Sequence, residues 1–283
     1  MENKPIIQAK TRDREPPSFA NINLLGKCNC NCYFCLGKDI EDICSDQNQL
    51  NIHFDEWPKF YDYLFMCSQA GIKKIYITGL NCDSLQYKYL QDLVDTIQRK
   101  GFGIGLRTNG YLAHTHQDTI NKCNLETGYT IMSLKPEINR IICGRADLPD
   151  WKTLIPASNN TRIQIVIGRY NQSEFFDMVR FIKQFSNVPY IQIRKISTDT
   201  RLDLLQPDMD AFETLYAWVK KVFPIKERLW GDAETYDILG VNVNFWRTIK
   251  TTVNSYNYFT DGTISPEYFI LEGYLKNKQS KSV

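Results

Sequence analysis

The 283-residue sequence has no apolar run approaching the roughly 18 to 20 residues that a membrane-spanning helix requires. Its first residues, MENKPIIQAKTRDREPP, lack the apolar core of a secretory signal. A cytoplasmic protein with no membrane partner is therefore expected. An excess of one charge is also missing. The 34 basic and 32 acidic side chains leave +2 and a pI of about 8.0, short of the field that marks a dedicated nucleic-acid binder, so no such partner is expected. Nine cysteines are too sparse for a disulfide scaffold in a chain of this size, and none lies beyond Cys143. No tract is of low complexity apart from the polar stretch 276–283.

What is present is enough apolar material for a large core, 43% hydrophobic with 13% aromatic. Such a chain can bury roughly three quarters of the surface its unfolded form exposes. Short β-branched or aromatic runs at 19–25, 73–78, 102–107, 129–134, 162–168 and 190–196 alternate with stretches of helical spacing at 55–70, 84–100, 172–185 and 207–222. That alternation predicts successive βα units and a parallel sheet. Right-handed crossovers would curl six strands into a partial (β/α)6 barrel. Residues 1–18 form an extension, 19–222 the barrel and 223–283 a smaller C-terminal cap of hairpin and helix, expected to close over the barrel's open end.

Almost fifty residues separate the first two strands, and loops that long are usually functional. This one begins Gly26-Lys27-Cys28-Asn29-Cys30-Asn31-Cys32-Tyr33-Phe34-Cys35. Cys28, Cys32 and Cys35 form CxxxCxxC, with Cys30 as an extra thiol. Linkers of two or three residues let one loop reach several corners of a compact metal cluster. Three ligands leave one iron of a four-iron cluster open, as in a reactive rather than a structural site. The competing reading is a non-catalytic binding module built on a zinc knuckle, completed by Cys30, Cys44 or His53.

The motif resembles that of the radical S-adenosylmethionine enzymes, whose CxxxCxxC carries an aromatic residue before its last cysteine, the place of Phe34. The resemblance extends to Ile77-Thr78-Gly79 after the second strand and Thr108-Asn109-Gly110 after the third, and it covers most of residues 19–196. It implies a [4Fe-4S] cluster on Cys28, Cys32 and Cys35, with S-adenosylmethionine chelating the open iron. It also implies a 5′-deoxyadenosyl radical that takes hydrogen from a peptide or small-molecule substrate, and a flavodoxin- or ferredoxin-like electron donor. Phe34 would then pack near the adenine, the backbone of Thr78 and Gly79 would approach the methionyl group, and Ser133 and Asn171 would contact the ribose or carboxylate. Where the family has GGE, this chain reads Gly79-Leu80-Asn81.

Many peptide-modifying members carry a DGxxxPC-like turn for auxiliary clusters. Here Asp261-Gly262-Thr263-Ile264-Ser265-Pro266-Glu267 places glutamate where the cysteine would stand, so a single cluster is expected. The aromatic residues Trp230, Tyr236, Phe245, Trp246, Tyr256, Tyr258, Phe259 and Tyr268, interleaved with Asn242, Asn244 and Asn254, suit core packing or a planar or peptide substrate. Arg194 and Arg247 are candidate anion clamps. Cys143 reads as a buried small apolar residue or as a thiol near the substrate.

Cys30→Ala should retain the iron and its visible charge-transfer absorption, whereas Cys28→Ala, Cys32→Ala or Cys35→Ala should abolish both. Iron assay of the four variants checks this, and equal loss in all four refutes the ligand assignment.

Overall fold

A computed structural model describes residues 19–41, 46–198, 201–229, 233–247, 255–267 and 270–279. Cys44, Trp230, Asn254, Tyr268 and the 1–18 extension lie outside the described residues. Six strands, β1 Phe19–Leu25, β2 Lys74–Leu80, β3 Gly103–Thr108, β4 Thr127–Thr130, β5 Thr161–Val166 and β6 Ile191–Arg194, pair in chain order and all in parallel. The sheet is open, as a partial barrel requires. No helix among the described residues is long and apolar enough to cross a membrane.

Helices Phe60–Gln69, Leu90–Arg99, Phe175–Ile182 and Leu202–Val222 supply crossovers. Each buries residues three and four apart, such as Leu90, Leu93, Val94 and Ile97, or Phe175, Met178, Val179 and Ile182, because those positions share one helical face. They pack on Ile22, Leu24, Ile75, Ile77, Ile104, Leu106, Ile163, Ile165, Ile191 and Ile193 in one continuous core. The shorter helices Gln117–Lys122, Pro136–Cys143 and Trp151–Ala157 span too few turns to stand out by periodicity.

Alternate residues of the same strands build a different face. Asn21, Tyr76, Gly105 and Arg107 lie on it, followed in register by Gly128, Arg162, Gln164, Gln192 and Asn244. One face is thus aliphatic and roofed by helices, and the other is lined with amides, guanidiniums and a phenol.

The chain after residue 222 extends the sheet instead of forming the expected lid. Strands β7 Ile225–Arg228, β8 Glu234–Ile238 and β9 Val241–Trp246 continue beyond β6, with β9 parallel to β6. Strand β10 Ser255–Phe259 pairs in parallel with β1, and β11 Ile264–Ser265 returns from it as a hairpin. The physical reason is edge satisfaction: an open sheet leaves two rows of unpaired backbone groups, and added strands pair them. Helix Ile270–Gln279 then packs Ile270, Leu271, Tyr274 and Leu275 with Leu25, Leu80 and Phe259.

The β8–β9 turn sets Leu239 at φ 57° and Gly240 at φ 84°, the left-handed pair of a two-residue hairpin that favours Asn-Gly. Leu239 is also exposed. Leu239→Asn should therefore stabilise the fold by about 0.5–1 kcal/mol, raising the melting temperature by roughly 1–4 °C in a thermal scan.

Candidate functional site

The cysteine loop follows the C-terminal end of β1, the end where α/β sheets place their ligands. Leu25 ends β1, and the loop that follows is held by its backbone. Asn31 N–H donates to the Cys143 carbonyl at 2.8 Å and Tyr33 N–H to the Ile142 carbonyl at 3.1 Å, so the loop lies along the end of helix Pro136–Cys143. From the opposite side Arg201 donates to the carbonyls of Tyr33 and Cys35, both at 2.7 Å, and pairs with the fully buried Asp39 carboxylate. Tyr33 donates its hydroxyl to Asp208 at 2.5 Å on helix Leu202–Val222, and Asp208 also accepts from the Arg169 backbone N–H at 2.9 Å and from its guanidinium.

The tips of β2 and β3 close the third side. Gln86 accepts from Asn29 N–H at 3.3 Å and donates to the Lys27 carbonyl at 3.1 Å. The Asn109 amide donates to the Asn29 side chain at 2.7 Å and to the Cys30 sulfur at 3.4 Å. Asp83 receives the Thr108 hydroxyl and the Asn109 N–H, and burial pushes its carboxyl upward in pKa. Asn109 thus acts as more than a turn residue, and Gln86 and Asp83 join the site without any spacing signal in the sequence.

The four loop thiols divide in two. Burial, with neighbouring sulfurs, holds Cys32 and Cys35 above the ordinary thiol range. Proximity to the Cys143 and Cys28 thiols pushes Cys30 up in pKa, and Cys30 in turn pulls those two down. Cys143 is buried and within 3.8 Å of the Tyr111 hydroxyl. Buried thiols that resist ionisation singly become good ligands once a metal's charge compensates them. Among the described residues no three His, Cys, Asp or Glu side chains converge as the ligands of a single ion would; ligands of a cluster instead sit on separate irons. His53 lies elsewhere, capping the short turn at Asp55 and packing on the ring of Phe54 and edge-to-face with Tyr89.

Thr78 and Gly79 fall within the end of β2. A Cβ on Gly79 would lie 1.8 Å from the Cys82 carbonyl oxygen, so glycine is required there by the chain's own tight turn. Asn81, in the left-handed region at φ 60°, packs against Gly37, where a Cβ would come within 2.6 Å of its backbone nitrogen. Asparagine tolerates that conformation. Its buried Nδ2 has no hydrogen-bond partner, so a donor waits beside the cysteine loop.

Phe34 packs with Tyr33, Val166, Ile196, Leu205 and Met209, an apolar patch at the ends of β5 and β6. Ser133 and Asn171 are already engaged. Ser133 donates to the Glu174 carboxylate at 2.7 Å and accepts from Lys135 N–H. Asn171 bonds Gly168 N–H and the carbonyls of Met132 and Val166. The two residues therefore fix the wall between β4 and β5. Of the candidate clamps, Arg247 ion-pairs with Glu213 at 3.1 Å, and Arg194 lies in register with Trp246.

No protein-family model matches the chain. In sequence it is similar to a probable GTP 3′,8-cyclase of Methanothermobacter thermautotrophicus, 24% identical over 264 residues that cover 90% of this chain and 77% of that protein. In structure it is similar to SuiB of Streptococcus suis, at TM-score 0.59 and 14% identity over 89% of this chain. The chain spans 60% of SuiB's length, and SuiB has been solved bound to S-adenosylmethionine and to the precursor peptide SuiA. It is also similar to anSMEcpe, solved with bound AdoMet, at TM-score 0.56 and 12% identity over 92% of this chain and 80% of that one.

Arg201→Met should destabilise the protein by about 3–5 kcal/mol, since it leaves the buried Asp39 carboxylate uncompensated, and Arg201→Lys should recover part of that loss. Urea unfolding of the two variants is the measurement.

Proposed function

We propose, taking the chain as a member of the radical S-adenosylmethionine superfamily by its fold and cysteine loop, that it is a single-cluster enzyme abstracting hydrogen from a peptide or small metabolite. Cys28, Cys32 and Cys35 are the residues that would hold the [4Fe-4S] cluster. Bound there, the cluster supplies an electron that cleaves S-adenosylmethionine to a 5′-deoxyadenosyl radical, with a flavodoxin- or ferredoxin-like protein as the donor. The observation that carries this reading is the loop itself: three cysteines at cluster spacing, clamped at the strand tips of a parallel partial barrel by Arg201, Gln86 and Asn109.

The chain's own residues have definable tasks around it. Arg201, Lys38 and Arg145 bring positive charge to the loop, with Lys38 donating to Asn31 at 2.5 Å and Arg145 to the Asn29 carbonyl at 3.2 Å, which offsets the thiolates. Thr78 and Gly79 present backbone at the end of β2 to the methionyl group, and the unpartnered Nδ2 of Asn81 is placed to donate to its carboxylate. Phe34 and its apolar neighbours offer a dry face to the adenine. Ser133 and Asn171 keep the β4–β5 wall at the ribose in place, and that wall would limit the entry of water.

Anaerobically reconstituted protein should be brown and hold about four irons per chain. On reduction it should give a paramagnetic signal that changes when S-adenosylmethionine is added, and it should release 5′-deoxyadenosine. A colourless protein retaining zinc and releasing none of that nucleoside overturns the proposal.

A further inference from the structure

On the polar face of the sheet, one buried charge lacks a hydrogen-bonded protein partner. Arg162, on β5, is 7% exposed, its Nε has no hydrogen-bond partner, and no ion pair to it is found among the described residues. Its neighbour across Gly128 is Arg107, and the two converge: a Cβ at Gly128 would lie 2.9 Å from Arg107 Cδ and 3.0 Å from Arg162 Nη2. Arg107 is provided for. It stacks on the Tyr76 ring at 4.1 Å and bonds the Glu126 carboxylate at 3.1 Å. The other Glu126 oxygen receives the Tyr76 hydroxyl at 3.2 Å, so two guanidiniums share one carboxylate that is already engaged.

Two buried cations that share one carboxylate are incompletely compensated, and a buried charge without full compensation is costly. Burial and the Arg162 charge depress Arg107 to about 10, the direction that crowding of like charges produces. Arginine presents a planar fork of donors that suits a carboxylate bidentately. Along the same face Gln164 follows Arg162 by two residues, with Gln192 and Asn244 in register on the next strands. Gln192 Oε1 and Asn244 Oδ1 are buried acceptors with no donor, and such groups call for N–H or O–H from a ligand.

We infer that Arg162, backed by Arg107, binds a carboxylate of the substrate, and that Gln192 and Asn244 receive N–H groups of the same molecule. The substrate is thus a carboxylate-bearing amino acid or peptide segment. The inference rests on the proposed function for calling the occupant a substrate, but the anion site can be tested without turnover.

The full-length, cluster-loaded protein is melted at constant ionic strength with chloride replaced by acetate, N-acetylglycine or inorganic phosphate. N-acetylglycine, carrying both a carboxylate and an N–H, should raise the melting temperature most, by about 3 °C near ten times its dissociation constant, followed by acetate. Arg162→Met should abolish the response. Arg162→Lys, which keeps the charge but loses the fork, should weaken it several-fold, and it decides by the same comparison if the methionine variant does not fold. Arg180→Met, at an exposed ion pair with Asp177, should leave it intact. No response in the wild type, or an equal response in wild type and the Arg162 variants, overturns the inference. A phosphate response exceeding both carboxylates overturns the carboxylate assignment. Failure of the radical reading is seen separately, as missing iron and missing 5′-deoxyadenosine with the anion response preserved.

Discussion

The guanidinium of Arg201 binds two carbonyls of the cysteine loop and the buried Asp39 carboxylate at once, and the position of the thiols over the sheet depends on it. Arg201 is more than 160 residues along the chain from the groups it holds. Thiols gathered in a half-buried loop repel one another once ionised and lose hydration, so the loop does not adopt this shape on local preference alone. Charge-assisted bonds made in a partly buried setting are stronger than neutral ones, and here they fall on backbone carbonyls that any side chain would leave in place. The sulfurs stay free for a metal while the main chain carries the load.

The turn after β2 shows how much of the site is fixed by close approach of backbones. Gly79 leaves room for the Cys82 carbonyl, and Gly37 leaves room for Asn81. Two segments that are distant in the chain thus meet with no side chain between them. Asparagine at 81, where the related motif has glutamate, is compatible with the left-handed backbone of this turn and puts an amide donor where a carboxylate could only accept.

How much of this was legible in the sequence follows the range of the interactions. The six parallel strands and four crossover helices were legible because each buries its own periodic stripe; β1 falls at 19–25 as the residues predict, whereas the fourth strand, expected at 129–134, lies at Thr127–Thr130. The hairpin at 258–264 was legible from Asp261-Gly262, whereas the β8–β9 hairpin was not, since Leu239-Gly240 carries no asparagine to announce a left-handed turn. The cysteine spacing pointed to the right loop. The residues that hold it, Gln86, Asp83, Asn109, Arg201 and Asp208, come from four other parts of the chain, and only tertiary structure brings them together. The placing of β9 and β10 at opposite edges was equally hidden, because a strand's own residues do not say which edge is left unpaired.

One signal was present but needs the sheet to be interpreted. Parallel strands buried on both faces read as nearly continuous aliphatic runs, yet β1, β5, β6 and β9 read FANINLL, TRIQIV, IQIR and VNVNFW. The polar positions of this alternation are nonetheless buried, Arg162, Gln192 and Asn244 among them, so that face does not look onto bulk solvent. Amides and arginines there pay a desolvation cost that isoleucine would avoid, and they add nothing to the helix-packed core. Arg162, whose Nε has no hydrogen-bond partner where its neighbour Arg107 has both a ring and a carboxylate, is the position at which that cost is least repaid by the fold itself. A residue kept in such a state is explained by what binds to it.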